Sequence, residues 1–212
     1  MLSELHELLP GGLRRGTTVS VAGSFSLLLS LIAGASAEGA WCVLVDLPVG
    51  SATRLGAEAA RDFGIDLTRL PVVPAAGQSW TTVVGALLDA FDIVAARAPA
   101  RLADGDLRRL AARARSRDSV LLPFLSGGRW PTADLRLTAE PGAWSGIGDG
   151  HGRLARRRMR VSVEGRGQAM RGREVTLWLP GRRGAAESYD AADEFRSSSN
   201  VVELADVRRA AG

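Results

Sequence analysis

The chain lacks lysine altogether, because all 27 of its Lys+Arg residues are arginine. A chain rich in Ala, Arg and Gly is typical of a GC-rich genome, which accounts for the overall absence. The absence still excludes any site whose chemistry needs a lysine ammonium group. The formal net charge is +4, and a basic balance favours nucleic-acid or acidic-protein partners, although part of that signal reflects the same codon bias.

Cysteine, histidine and long apolar runs are also scarce. The single Cys42 lies in an apolar run, which predicts a buried, inert thiol and excludes a disulfide within the chain. His6 and His151 have no Cys or carboxylate cluster at ligand spacing, so neither a metal site nor a cofactor is expected. The longest apolar stretch, residues 27–35, is far shorter than the roughly 20 residues of a membrane span. The first residues of the chain include charged side chains before any apolar run, which is not typical of a signal peptide. Together these features predict a cytoplasmic protein without a membrane segment.

Apolar periodicity predicts an α/β fold. Continuous apolar or β-branched runs predict strands, and the runs with helical spacing between them predict helices. The predicted strands are residues 17–21, 40–46, 70–73, 93–96 and 119–125. The predicted helices are residues 27–37, 52–63, 80–90 and 105–117, with Asp104 as the cap of the last one. The β-α repeats indicate a mainly parallel sheet with helices on both faces.

After Gly128 the pattern changes to strict alternation of apolar and polar side chains. The alternating segments are residues 133–138, 158–164 and 174–179. They predict antiparallel strands that extend the sheet at its C-terminal side. The Gly-rich segment at 141–150 is interpreted as a long flexible loop. The domain prediction is one domain over residues 1–180 and a flexible tail over residues 181–212, where small and polar residues prevail.

Three segments resemble the RecA family. Residues 9–23 (LPGGLRRGTTVSVAG) resemble the turn and strand that lead to the RecA P-loop. Residues 38–46 (EGAWCVLVD) resemble the next RecA strand, which also follows a Glu-Gly pair and ends in Asp. Residues 63–70 (FGIDLTRL) resemble the turn after the following helix. From residue 9 to residue 180, the order and spacing of the predicted strands and helices agree with those of RecA. The resemblance therefore implies a RecA-like core with antiparallel edge strands.

The departures from RecA fall at the parts that bind and hydrolyse nucleotide. A P-loop has the pattern G-x-x-x-x-G-K-[ST], with the lysine on the β/γ-phosphates and the hydroxyl on Mg²⁺. The resemblance places Gly23 at the last glycine, Ser24 at the lysine and Phe25 at the hydroxyl, after a loop shorter by about five residues. Ser26 is either a poor substitute for that hydroxyl or a helix-start serine. Because the P-loop is degenerate, we expect the protein to bind no nucleotide and to have no ATPase activity.

Two carboxylates of the RecA site are missing as well. Pro48 stands where the catalytic glutamate follows the strand-ending Asp46. The strand at 93–97 ends without the carboxylate of a Walker-B strand, and Asp92 before it is interpreted as a turn residue. The segments that match the two DNA-binding loops of RecA are also much shorter. The resemblance therefore implies that the protein is not an enzyme and has weak or no direct DNA binding.

A degenerate RecA core of this length resembles the ImuA family, whose members are RecA-like accessory proteins of the bacterial SOS mutasome. The resemblance implies a non-catalytic role in DNA-damage-induced translesion synthesis. The implied partners are an ImuB-like Y-family polymerase homologue, RecA and an error-prone replicative-type polymerase. Two alternatives stay open: a DNA-stimulated ATPase whose altered site uses Asp46, and a SulA-type inhibitor of cell division.

An arginine-rich segment and two tryptophans are the candidate contacts with a partner or with DNA. The arginines of this segment are Arg153, Arg156, Arg157, Arg158 and Arg160, followed by Arg166, Arg171 and Arg173. They predict a basic strip that meets phosphates or an acidic protein, or a solvated edge whose charges prevent aggregation. Trp130 and Trp144 lie in or near predicted loops, where they either anchor an interface or pack against the core.

Overall fold

A computed structural model describes residues 5–47, 56–148, 151–165 and 172–190. The helices in these ranges are α1 (Phe25–Ala37), α2 (Ala57–Asp62), α3 (Trp80–Leu88) and α4 (Asp104–Ser116), with 3₁₀ turns at Leu67–Arg69 and Gly77–Ser79. The strands are β1 (Val19–Ala22), β2 (Cys42–Val45), β3 (Val72–Val73), β4 (Ile93–Arg97), β5 (Val120–Leu125), β6 (Leu135–Gly148), β7 (His151–Gly165), β8 (Arg173–Trp178) and β9 (Glu187–Ser188).

The strands form one sheet in the order β3-β2-β4-β5-β1-β6-β7-β8-β9. Neighbours from β3 to β6 are parallel, and neighbours from β6 to β9 are antiparallel. Parallel neighbours need crossover connections, and helices in those crossovers cover the faces of the sheet. The predicted class is therefore confirmed: the protein has an α/β fold with a mainly parallel sheet and antiparallel strands at its C-terminal side.

Alternate side chains of the central strands enter two separate apolar clusters. In β4, Ile93 and Ala95 pack in the cluster that contains α1, whereas Val94 and Ala96 pack with α3 and α4. Successive residues of a strand point to opposite faces, so a strand apolar at every position is buried on both sides. This explains why β4 lies in the interior of the sheet, between β2 and β5.

Cys42 belongs to the α1 cluster, and its thiol is free and buried as predicted. Burial raises the thiol pKa to about 12, and the negative charge of Asp92 acts in the same direction. The neutral thiol is therefore the stable form, which agrees with an inert packing role. In the described ranges no helix is long and apolar enough to cross a membrane.

Two local predictions about element ends are wrong. Ala103 occupies the N-cap of α4, and Asp104 lies in the first turn rather than at the cap. Residues 141–148 form the second part of β6 and pair with β7, whereas their sequence predicts a loop. The pairing joins residues remote in sequence, such as Pro141 and Met159, so local Gly and Pro content did not reveal it.

The predicted tail begins too early. Residues 181–190 contain β9, which pairs with β8, and the Ala186 side chain is buried in the α1 cluster. The sheet therefore continues past the predicted domain boundary at residue 180. The rest of the predicted tail, residues 191–212, lies outside the described residues.

The outer surface of α3 and α4 carries a carboxylate held by two arginines. Arg113 donates hydrogen bonds to both carboxylate oxygens of Asp89, and the Arg117 Nε donates to the Oδ1 atom at 3.0 Å. The hydrogen bond from Arg113, helped by the charges of both arginines, lowers the pKa of Asp89 from 3.8 to about 2.

The folded pKa of Asp89 lies below its ordinary value, so the charged carboxylate favours the folded state above pH 3.8 and this contribution is lost as the pH falls towards 2. We expect an NMR titration of the Asp89 carboxyl carbon to give a midpoint near 2, and Arg113→Gln to move it towards 3.8. Arg109→Gln removes an arginine that pairs with Asp106 instead, so it should leave the midpoint unchanged. An unshifted midpoint in the unmodified protein would contradict the ion pair.

Candidate functional site: a degenerate phosphate loop

The candidate site is the turn that joins β1 to α1 at the carboxyl ends of the parallel strands. β1 ends at Ala22 and α1 begins at Phe25, so Gly23 and Ser24 form the whole connection. A phosphate-binding loop surrounds the phosphates with successive backbone N–H groups, which requires a longer segment between strand and helix. The chain passes directly from strand to helix and leaves no segment to form such a cradle.

Gly23 is held against the neighbouring strand. Its φ of 85° lies in the left-handed region that favours glycine. A Cβ atom at this position would lie 1.9 Å from the carbonyl oxygen of Ala139 in β6. The parallel pairing of β1 with β6, which runs up to Ala22 and Thr138, brings that carbonyl against the turn. The backbone of β6 therefore occupies the space beside the turn.

The side chains after this glycine have structural partners. The Ser24 hydroxyl accepts the N–H of Leu27 at 3.2 Å and caps α1. Phe25 stands where the RecA resemblance places a Mg²⁺-binding hydroxyl, and its ring packs edge-to-face on Phe124 with centroids 5.9 Å apart. Ser26 is half-buried in the first turn of α1. The lysine and hydroxyl positions of a P-loop are thus held by a helix cap and an apolar contact.

Asp46 also has a structural role at this edge of the sheet. It follows β2 with a φ of 52°, and its Oδ1 atom accepts the N–H of Ala76 at 2.7 Å. β4 ends in Arg97, with no carboxylate at its end. Pro48, at the position of the catalytic glutamate, lies outside the described residues. Within the described ranges, no group of three or more His, Cys, Asp and Glu side chains is placed to hold a metal ion.

Asp92 directly precedes β4 and therefore lies at the amino-terminal ends of the parallel strands, opposite to the candidate site. Its carboxylate accepts a hydrogen bond from Arg15 and another from the backbone N–H of Trp41, both at 2.9 Å. These contacts tie the lead-in to β1 and the start of β2 to the start of β4. They agree with the interpretation of Asp92 as a turn residue.

The two segments that the resemblance assigns to the DNA-binding loops of RecA are short. One runs from the end of β4 to the start of α4, and the other runs from the end of β5 to the start of β6. Trp130 in the second segment is 5% exposed, and its ring centroid lies 6.3 Å from that of Trp80. The Trp130 ring therefore belongs to the core cluster under α3 and α4 and is not an exposed loop side chain, and its contact with a partner stays a prediction.

The arginine-rich strand β7 does not present one solvated strip. Arg156 is 3% exposed, and its guanidinium carbon lies 4.0 Å from the ring centroid of Trp178. Arg160 is exposed and pairs with Glu174 at 3.3 Å. Arg158 is half-buried. The prediction of a partner contact is wrong for Arg156, because its charged group is enclosed by the protein itself.

Trp144 remains a candidate contact. It is 42% exposed on β6, and the guanidinium carbon of Arg157 lies 5.4 Å from its ring centroid. The two residues are direct cross-strand partners, which explains their contact. Arg153 belongs to β7, but its side chain lies outside the described part of the structure.

Comparisons with known proteins place the chain among RecA-like folds. A family model described as the MT3502 N-terminal domain matches residues 7–132. The uncharacterized protein Rv3395c of Mycobacterium tuberculosis is 33% identical over 141 residues, which make up 65% of this chain and 66% of that protein. The crystal structure of the RadB recombinase is similar with a TM-score of 0.64 and 15% identity, covering 89% of this chain and 97% of the RadB chain. At that identity the likeness establishes the fold alone.

Proposed function

This chain belongs to the family of the MT3502 N-terminal domain, and we propose that it is a non-catalytic, RecA-like interaction protein of DNA-damage-induced mutagenesis. In this role it works in the cytoplasm as an accessory protein of translesion synthesis, as the resemblance to the ImuA family implies. Its partners are an ImuB-like Y-family polymerase homologue, RecA and an error-prone replicative-type polymerase. The RecA-like fold supports a RecA-related role, and the resemblance supports the narrower one.

The turn between β1 and α1 is the observation that carries the proposal. Phosphoryl transfer depends on positioning the phosphates and on charge stabilisation by lysine and Mg²⁺. Here the cradle is reduced to Gly23 and Ser24, the chain has no lysine, and Phe25 faces another aromatic ring. A RecA-like fold without these parts supports a role in binding other proteins.

Calorimetric titration of the full chain with ATP and Mg²⁺ should show no saturable binding below about 100 μM, because the turn offers neither the N–H cradle nor the lysine. Phosphate release should stay at background with and without single-stranded DNA. A RecA protein with an intact P-loop is the positive control. Saturable binding with turnover would contradict the proposal and favour the alternative ATPase, in which case Asp46→Ala should abolish the activity.

Co-expression tests the partner part of the proposal. The full chain is expected to co-elute with an ImuB-like polymerase homologue in size-exclusion chromatography. Trp144→Ala should weaken this association about tenfold or more if the exposed ring anchors the interface. Trp41→Ala is the matched control, since Trp41 is 47% exposed and also has an arginine, Arg69, 5.9 Å from its ring. Failure to co-elute at micromolar concentrations would remove this partner from the proposal.

A further inference from the structure

A cleft opens at the carboxyl ends of β4 and β5, between the two connections that replace the RecA DNA-binding loops. Its volume is about 850 Å³. One wall comes from residues 98–102, which follow β4, and the other comes from residues 126–131, which follow β5. The volume is within the range of pockets that bind a drug-sized group, so one or two side chains of a guest peptide would fit.

The buried side chains that line the cleft are apolar. Leu107, Leu125 and Trp130 form its floor and are at most 7% exposed. Ala98, Pro99, Leu102 and Pro131 contribute to the walls. Gly127 and Gly128 line the cleft, and no atom lies within 4 Å of the place where a Cβ of either would stand. An apolar side chain that entered the cleft would leave water for a hydrophobic surface, which is favourable.

The rim of the cleft is basic. Arg101 and Arg129 line it, and both side chains are exposed. Neither of them has an ion pair or a hydrogen bond with any residue of the described ranges. The rim carboxylate, Asp104, lies 4.0 Å from the Arg108 guanidinium, which offsets its charge. The two free guanidinium groups therefore favour an anionic guest.

The contrast with α4 shows that these two arginines differ from the rest of the surface. Along α4, Arg108 and Arg109 pair with acidic residues one turn earlier, and Arg113 and Arg117 pair with Asp89. Those charges are already satisfied within the fold. The positive charge at the cleft is available to a partner because no acidic side chain of the described chain pairs with it.

We propose that this cleft docks an acidic peptide segment that carries a bulky apolar side chain, with that side chain on the floor and carboxylates on Arg101 and Arg129. The proposal rests on the proposed function and specifies how a partner protein is held. An apolar floor under a charged rim is the usual arrangement of a protein–protein contact. Binding of single-stranded nucleic acid depends on exposed rings for base stacking, and the ring in this cleft, Trp130, is buried against Trp80.

The test is fluorescence anisotropy with the full chain. The probe is a fluorescein-labelled decapeptide with acidic residues on both sides of a central Leu-Phe pair, compared with its Asn/Gln counterpart and with an oligo-dT of similar length. We expect the acidic peptide to bind with a Kd below about 100 μM and the neutral peptide to bind about tenfold more weakly. Absence of acidic-peptide binding, or equal binding of both peptides, overturns the proposal.

Variants locate the binding. The double variant Arg101→Gln/Arg129→Gln should weaken the acidic peptide about tenfold. Arg109→Gln/Arg115→Gln on α4 removes the same net charge away from the cleft and should change the affinity less than twofold. Gly127→Phe adds a ring to the wall of the cleft without removing charge and should weaken binding about tenfold or more, with an unchanged circular dichroism spectrum as the folding control. Equal weakening by both double variants, or unchanged binding to Gly127→Phe, overturns the site.

Two further outcomes are decisive. Binding of oligo-dT that is weakened by Arg101→Gln/Arg129→Gln would assign the cleft to nucleic acid and overturn the proposal. Co-elution with the polymerase homologue that persists in Gly127→Phe, without peptide binding to the unmodified chain, would leave the proposed function standing while removing this cleft from it.

Discussion

Gly23→Ala is expected to lower the free energy of unfolding by about 2–5 kcal/mol. A φ of 85° costs a residue with a Cβ about 1–2 kcal/mol. The new methyl group would also lie 1.9 Å from the Ala139 carbonyl oxygen, so β6 must move away from the turn. Displacing packed backbone adds about 1–3 kcal/mol. Urea unfolding followed by circular dichroism measures the sum.

Gly64→Ala is the matched control for the backbone strain. Gly64 has a φ of 84°, but no atom lies within 4 Å of the place where its Cβ would stand. This variant should therefore cost about 1–2 kcal/mol, the conformational part alone. The difference between the two variants isolates the contact of β6 with the turn. Equal losses would show that β6 does not approach Gly23 as closely as the structure has it.

The contact between β6 and the turn has a functional consequence. A P-loop that had lost only its lysine would keep the cradle of N–H groups and could regain phosphate binding through one substitution. In this chain the strand passes into the helix through Gly23 and Ser24, and the Ala139 carbonyl lies beside them. The departures from RecA therefore lie in the path of the backbone as well as in the side chains.

The sequence was sufficient to predict the parallel part of the sheet. Ile93 to Ala96 are apolar at every position, and such a run is stable only with both faces covered, as β4 is. The extent of the β6–β7 hairpin was not predictable from residues 141–150 because their Gly and Pro content is typical of loops. Their strand conformation depends on pairing with residues of β7. A local sequence pattern carries no information about this pairing, because the paired residues are remote in sequence.

The part of the candidate site in which each position of a known motif has a single role was predictable from the sequence. The role of a side chain that can be either buried or exposed was harder to predict. The places of Gly23, Ser24 and Phe25 in the degenerate P-loop followed from the resemblance to RecA. The burial of Trp130 and Arg156 did not, because tryptophan and arginine occur both at interfaces and packed inside. Which of the two applies depends on the neighbours that the fold supplies, here Trp80 and Trp178.

Trp178→Ala should lower the free energy of unfolding by about 3–5 kcal/mol. The Trp178 ring is 2% exposed, and its centroid lies 4.0 Å from the Arg156 guanidinium carbon and 5.4 Å from the Tyr189 ring centroid. Its removal opens a cavity and takes a π face from a cation that is itself 3% exposed. Trp178→Phe keeps an aromatic face over Arg156 and should cost distinctly less. Urea unfolding of the two variants measures both losses.

Trp144→Ala is the matched control, since Trp144 also has an arginine over its ring but is 42% exposed. An exposed tryptophan–arginine pair contributes about 0.5–1 kcal/mol, so this variant should unfold almost as the unmodified protein does. A loss for Trp178→Ala no larger than that for Trp144→Ala would contradict the burial of Arg156. The large loss would instead support the burial of Trp178 together with Arg156, whereas Arg160 of the same strand is exposed.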